Sequence, residues 1–129
     1  METFTSNSTG EKFGEKTPKV SIIIPIFNYA RYLGEAIDSA LSNKHIECEI
    51  LVIDDGSTDN TADVARSYES QIRYIYQENQ GVCAARNKGI REARAELIVF
   101  LDADDVLEPD MVKHSLAALQ KLGDSFALI

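Results

Sequence analysis

The sequence has no hydrophobic run long enough to cross a membrane, and this absence excludes one broad class of proteins. Its longest apolar stretches have the length of a strand, whereas a membrane-spanning helix needs about 20 apolar residues. The first ten residues also lack the apolar core that a secretory signal requires. We therefore expect a protein that resides in the cytoplasm.

Basic residues and cysteines are also scarce. The chain has 13 Lys and Arg against 21 Asp and Glu, for a net charge of −8. No cluster of Lys and Arg stands out, and nucleic-acid binding needs such a cluster to neutralise phosphates. We therefore expect no nucleic-acid partner. The two cysteines, Cys48 and Cys83, have neither metal-site spacing nor the number that a disulfide framework needs.

Strand-like and helix-like segments alternate along the chain after a polar start. Residues 1–18 show no periodicity and are rich in Thr, Ser, Gly, Lys and Glu, which predicts a disordered tail. Residues 19–129 then form one domain. Its expected strands are 20–26, 49–53, 72–76 and 96–101, with a helix after each, and 125–129 look like the start of a fifth strand.

This alternation predicts an α/β fold with a Rossmann-like parallel sheet and helices on both faces. Right-handed crossovers and a doubly wound arrangement give the strand order 3-2-1-4. The order in which successive strands are added then reverses between the first and fourth strands, and such sheets bind their ligands at this switch point. The third helix is expected to bury one face, formed by Val82, Ala85, Gly89, Ile90 and Ala93.

Acidic residues follow the second and fourth strands, which lie on either side of the first strand in this predicted sheet. Asp54 and Asp55 end the second strand, and the segment 102–105, Asp-Ala-Asp-Asp, follows the fourth. A single acidic turn is more often a solvated loop or a helix cap. Two such turns at the same edge of the sheet need a counter-charge, and carboxylate oxygens suit Mg²⁺ or Mn²⁺. The pattern therefore predicts a divalent metal site.

Two further residues have two interpretations each. Phe27 follows the first strand, so it could belong to the core or offer a ring face for stacking. Arg86 lies in the first turns of the third helix, where it could meet a diphosphate or an Asp, or simply face solvent.

Taken together, these segments resemble the inverting family 2 glycosyltransferases with the GT-A fold. Each motif alone is weak, but four in this order and spacing are specific, and they cover all but the tail. The matching segments are Val20-Ser21-Ile22-Ile23-Ile24-Pro25-Ile26-Phe27-Asn28, Val52-Ile53-Asp54-Asp55-Gly56-Ser57-Thr58-Asp59, Asn79-Gln80-Gly81 with Ala85-Arg86-Asn87-Lys88-Gly89, and Phe100-Leu101-Asp102-Ala103-Asp104-Asp105.

The resemblance implies a nucleotide-sugar-binding segment, with a UDP-sugar as donor and Mg²⁺ or Mn²⁺ as cofactor. Asp55, together with Asp54, would accept a hydrogen bond from the base. Asp102 would lie beside the ribose or diphosphate, and Asp104 would bind the metal. The implied nucleotide-binding residues are Pro25, Phe27, Asp54, Asp55, Arg86, Asp102 and Ala103.

The resemblance also implies transfer to an acceptor hydroxyl with inversion, the acceptor being a sugar, a polysaccharide or a lipid-linked glycan. In the family, the catalytic base and the acceptor pocket belong to the second half of the domain. We therefore expect this chain to bind the donor but to transfer little sugar alone. A sheet edge left open in this way also predicts self-association.

Two alternatives come from other classes. Asp54-Asp55 after an apolar strand resembles the acidic pair of phosphoacceptor receiver domains in signalling, but a receiver begins with that strand. Asp102-Ala103-Asp104 resembles the motif of haloacid-dehalogenase-like phosphatases, in which it follows the first strand rather than the fourth.

Overall fold

In a computed structural model, residues 17–43 and 46–121 are described, and they form a parallel sheet with helices on both faces. The predicted start of a fifth strand at 125–129 lies outside the described residues. The elements in chain order are β1 (Val20–Ile26), α1 (Ala30–Leu41), β2 (Cys48–Asp55), α2 (Thr61–Arg66), β3 (Arg73–Gln77), α3 (Val82–Glu92), β4 (Leu97–Phe100) and α4 (Met111–Lys121).

The strands follow the order β3-β2-β1-β4, all parallel, so the predicted fold class and strand order are confirmed. The register pairs Ile26 with Asp54 and Asp55 with Gln77, and it pairs Ile23 with Phe100. The carboxyl ends of β1, β2 and β4 therefore meet at one edge of the sheet. None of the described helices is long and apolar enough to cross a membrane.

Successive side chains of the central strands enter two different cores. Ile22, Ile24 and Val52 belong to a large cluster with residues of α1, α2 and α4. Ile23 and Leu51 belong to a smaller cluster with Ala85 of α3. Because side chains alternate across a strand, the two faces of the sheet are covered by different helices. The same alternation decides where the residues at the strand ends point.

The buried face of α3 is narrower than the sequence predicts. Ala85 and Gly89 are buried, but Val82 and Ile90 are 52% and 46% exposed. Gly89 brings the helix so close to Ile23 that only its small residues face the sheet. The prediction for Val82 and Ile90 was therefore wrong.

The two cysteines have different surroundings, which gives a first testable prediction. Cys48 is partly buried at the start of β2, and burial raises the pKa of its thiol to about 11. Cys83 is exposed on α3. Because the thiolate is the reactive form, the raised pKa makes Cys48 slow to react near neutral pH. We expect a thiol reagent to label Cys83 quickly and Cys48 only on unfolding, as mass spectrometry of the labelled chain would show. Equal labelling of both thiols in the folded chain would contradict this.

Candidate functional site

A pocket of about 330 Å³ opens at the carboxyl edge of the sheet, between the ends of β1, β2 and β4. It lies at the switch point between β1 and β4, where the order of strand addition reverses. One part of its wall is apolar and another is acidic. The lining residues are Pro25, Ile26, Phe27, Tyr29, Asp55, Val82, Ala85, Asp102, Ala103 and Asp104.

The apolar part of the wall carries two exposed aromatic rings. Phe27 and Tyr29 follow β1 and are 46% and 47% exposed, so neither belongs to the core. Tyr29 meets Tyr32 edge to face, with 5.7 Å between ring centroids. Exposed rings beside a cavity provide flat apolar faces on which a planar ligand can stack. Sequence analysis identified Phe27 but missed Tyr29, since an isolated Tyr in a loop gives no signal of its own.

Asp55 lies between the pocket and the loop 77–81, and its carboxylate already has four donors. Its Oδ1 accepts hydrogen bonds from Gln77 Nε2 at 2.9 Å and the Gln80 backbone N–H at 2.8 Å. Its Oδ2 accepts from Gly81 N–H at 2.9 Å and Asn79 Nδ2 at 3.2 Å. A carboxylate offers about four lone-pair positions. An additional donor from a ligand must therefore displace one of the two side-chain amides.

The same hydrogen bonds hold the Asp55 carboxylate beside the N terminus of α3. Gly81 precedes the helix with φ of 101°, a conformation that favours glycine. The backbone N–H groups of Gln80 and Gly81, directly before the helix, both donate to Asp55. A helix N terminus favours a negative charge beside it, so the Asp55 carboxylate lies at the favourable end of α3.

Asp54 points to the opposite face of the sheet and does not line the pocket. It is fully buried, and its carboxylate accepts hydrogen bonds from Ser57 N–H at 2.8 Å and the Tyr74 hydroxyl at 2.6 Å. Burial and the Asp54 carboxylate both raise the pKa of Tyr74, so its hydroxyl stays protonated and continues to donate. The predicted contact between Asp54 and a nucleotide has no geometric basis here, because neighbouring residues of a strand face opposite sides.

The acidic part of the wall follows β4. Carboxylate oxygens of Asp102, Asp104 and Asp105 come within 4.8 Å of one another, and all three residues are exposed. This all-oxygen donor set suits Mg²⁺ or Mn²⁺, which complete their shells with water and phosphate oxygens. Ala103 is buried between the acids, and its small side chain anchors the turn in the core.

Arg86 of α3 lies beside this acidic cluster. Its Nη2 is 3.5 Å from Asp102 Oδ1, and its guanidinium carbon is 5.7 Å from the centre of the Phe100 ring. Because both charged side chains are about half exposed, the pair contributes little to stability. The guanidinium does bring one positive charge to an edge that is otherwise acidic. Of the predicted site residues, all but Asp54 and Arg86 line the pocket, and Arg86 contacts Asp102 at its rim.

The comparison with known protein families gives one match over most of the chain. The family described as Glycosyl transferase family 2 matches residues 21–129. An uncharacterized glycosyltransferase of Rickettsia typhi is 42% identical over 113 residues, which are 88% of this chain and 36% of that protein. One of Nostoc is 44% identical over 106 residues, or 79% of this chain and 33% of that protein. The chain thus spans about a third of the length of these relatives.

Solved structures show the same fold. Staphylococcus aureus TarS in complex with UDP-GlcNAc has a TM-score of 0.70 and 28% identity, over 80% of this chain and 31% of that one. The mannosyltransferase PcManGT of Pyrobaculum calidifontis, in complex with GDP-Man and Mn²⁺, has a TM-score of 0.73 and 26% identity. That match covers 81% of this chain and 33% of the other. The receiver-like and phosphatase-like alternatives are not favoured by these matches.

Proposed function

Because the chain belongs to Glycosyl transferase family 2, we propose that it is the donor-binding part of an enzyme that transfers a sugar from a nucleoside diphosphate sugar to an acceptor hydroxyl. One observation carries this proposal. The pocket at the sheet edge joins an aromatic, apolar wall to a cluster of three carboxylates. A nucleoside diphosphate has the matching halves, a flat base and a charged diphosphate.

The base would lie against the apolar wall. Phe27 and Tyr29 offer ring faces, and Pro25 and Ala85 complete an apolar surface. Asp55 lines the same pocket, and it would accept from the base once the Gln77 or Asn79 amide turns away. A carboxylate accepts a hydrogen bond from a base that has a ring N–H, as uracil and guanine do and adenine does not. The UDP-GlcNAc that TarS binds supports uracil of the two, and hence a UDP-sugar as the donor.

The diphosphate would lie against the acidic wall, with a divalent cation between the two negative groups. Asp104 would bind Mg²⁺ or Mn²⁺, and Asp102 would orient the ribose or the diphosphate. When bound, the cation would stabilise the charge of the departing nucleoside diphosphate. Arg86 would supply a second positive charge on the same side. The Mn²⁺ reported with PcManGT supports this choice of cofactor.

Transfer with inversion requires a carboxylate base that removes the proton from the acceptor hydroxyl. Among the described residues, each acid at the pocket already has a task in donor binding, so we assign none of them as that base. The acceptor we propose is the hydroxyl of a sugar, a polysaccharide or a lipid-linked glycan.

A titration of this chain with UDP, GDP and ADP, with and without Mn²⁺, tests the proposal. We expect UDP to bind most tightly, and Mn²⁺ to strengthen its binding about tenfold or more, which corresponds to about 1.4 kcal/mol. Isothermal calorimetry would measure both affinities. Absence of binding to every nucleotide with Mn²⁺ present would refute the proposal for this chain. Affinity for GDP or ADP equal to that for UDP would refute the choice of uridine.

A further inference from the structure

Asn28 stands out in the loop between β1 and α1. Among the described residues it is the only one other than glycine with a positive φ, at 57°. Asn tolerates this left-handed conformation better than most residues. Its chain neighbours are Phe27 and Tyr29, the two exposed rings of the pocket wall. The backbone turn at Asn28 therefore lies between the two side chains proposed to contact the base.

The side chain of Asn28 holds the loop that follows β2. Its Oδ1 accepts hydrogen bonds from the backbone N–H of Thr58 at 2.8 Å and of Asp59 at 3.2 Å. The backbone N–H of Asn28 donates to Ser57 Oγ at 2.9 Å. With the longer contact from the Thr58 hydroxyl to Oδ1 at 3.4 Å, Asn28 thus makes four hydrogen bonds to three consecutive residues of the neighbouring loop. These hydrogen bonds join the two chain segments beyond the end of the β1–β2 ladder.

The same loop is held at two further points. Ser57 N–H donates to the buried carboxylate of Asp54, which fixes the loop to β2. Asp59 Oδ2 accepts from the backbone N–H of Ala30, at the start of α1, with a distance of 3.1 Å. The loops after β1 and β2 are therefore joined in both directions, from Asn28 to Asp59 and from Asp59 back to Ala30.

We propose that Asn28 is a positioning residue of the nucleotide site, which locks the two loops together and thereby aims Phe27 and Tyr29 at the base. This inference rests on the proposed function, since the aim of the two rings matters only if a base stacks there. Asn28 itself does not line the pocket, so it acts through its neighbours.

Three variants separate the two properties of Asn28. Asn28→Asp keeps an acceptor oxygen and a tolerance for the left-handed backbone. Asn28→Gly keeps only the backbone freedom, and Asn28→Ala keeps neither. The hydrogen-exchange rates of the Thr58 and Asp59 amides measure directly how firmly Asn28 holds the loop. We expect exchange about tenfold faster in the Gly and Ala variants and close to wild type in the Asp variant.

The affinities of the variants for UDP and pyrophosphate then measure the effect on the nucleotide site. We expect Asn28→Gly to bind UDP with Mn²⁺ about tenfold more weakly and Asn28→Ala at least as weakly, with Asn28→Asp restoring most of the affinity. Binding of pyrophosphate with Mn²⁺ should stay within about twofold in all variants, because that ligand lacks the base. A general loss of structure would weaken both ligands and would contradict a positioning role.

Each failure has its own signature. If the wild-type chain binds no UDP, the proposed function fails, and the exchange rates still decide whether Asn28 locks the loops. If the Gly variant exchanges at the wild-type rate, the lock is refuted even when UDP binds normally. If exchange is faster but UDP affinity is unchanged, the loops are locked without any effect on the base, and the positioning role is refuted.

Discussion

Replacing Asp104 by Ala should abolish the effect of Mn²⁺ on UDP binding. Asp104 lines the pocket, and its carboxylate lies within 4.8 Å of those of Asp102 and Asp105. Without a cation, the diphosphate and the three acids repel one another. Loss of one carboxylate removes a ligand that a small, hard cation needs for its shell. We expect Mn²⁺ affinity to fall about a hundredfold, and calorimetric titration of UDP with and without Mn²⁺ to give the same weak binding.

Two control variants define this result. Asp104→Asn removes the charge but keeps the shape, so it should lose most of the Mn²⁺ effect as well. Asp63→Asn removes the same charge from the first turn of α2, outside the acidic cluster, and should bind UDP and Mn²⁺ like the wild type. If Asp104→Ala keeps the full Mn²⁺ effect, Asp104 is not a metal ligand. If Asp63→Asn loses the effect equally, net charge rather than coordination explains it.

The strand order could be predicted because it depends on general rules rather than on particular contacts. Alternating strands and helices with right-handed crossovers leave few arrangements, and one of them brings the ends of β1, β2 and β4 together. The acids could be assigned to one edge of the sheet for the same reason. Local sequence is sufficient for this assignment, since the assignment needs only the positions at which the strands end.

The direction of Asp54 could also have been predicted, but it was missed. Strand residues alternate between faces, so Asp54 and Asp55 cannot both point into one pocket. Ile53 and Asp55 face α3, whereas Val52 and Asp54 face the core on the other side. Strict use of the two-residue period of a strand would have assigned Asp54 and Asp55 to opposite faces of the sheet. The tyrosine that binds Asp54 gives no such signal, because it is on another strand.

The surroundings of Asp55 could not be predicted from local patterns. Its donors come from residues 77–81, whose loop conformation depends on close packing. Gly56 shows how close this packing is. A methyl group there would lie 2.7 Å from the Asn79 backbone nitrogen, and its φ of 85° already favours glycine. Such contacts depend on tenths of an ångström, which hydrophobic periodicity does not encode.

A side chain at Gly89 should destabilise the fold more than the other substitutions discussed. Gly89 lies in α3, and a methyl group there would be 2.5 Å from Cγ2 and 3.0 Å from Cδ1 of Ile23. Ile23 is fully buried in β1 and cannot move aside without disturbing the sheet. We expect Gly89→Leu to lower the free energy of unfolding by about 3 kcal/mol, the upper range for overpacking. Urea denaturation followed by circular dichroism would measure it.

Gly34 provides the matched control, because it also lies inside a helix but has room. A methyl group at Gly34 of α1 would lie 3.5 Å from the Tyr68 hydroxyl oxygen, an ordinary contact. Ala has a higher helix propensity than Gly by about 1 kcal/mol, so Gly34→Ala should stabilise the chain. At Gly89 the same exchange to Ala gains the same propensity but suffers the clash with Ile23, so its net effect should be destabilising. Opposite signs for the two Gly→Ala variants would show that close packing, not helix propensity, requires glycine at 89. If both variants are stabilising, α3 does not pack against β1 as closely as described, and the wall of the pocket that α3 forms is misplaced.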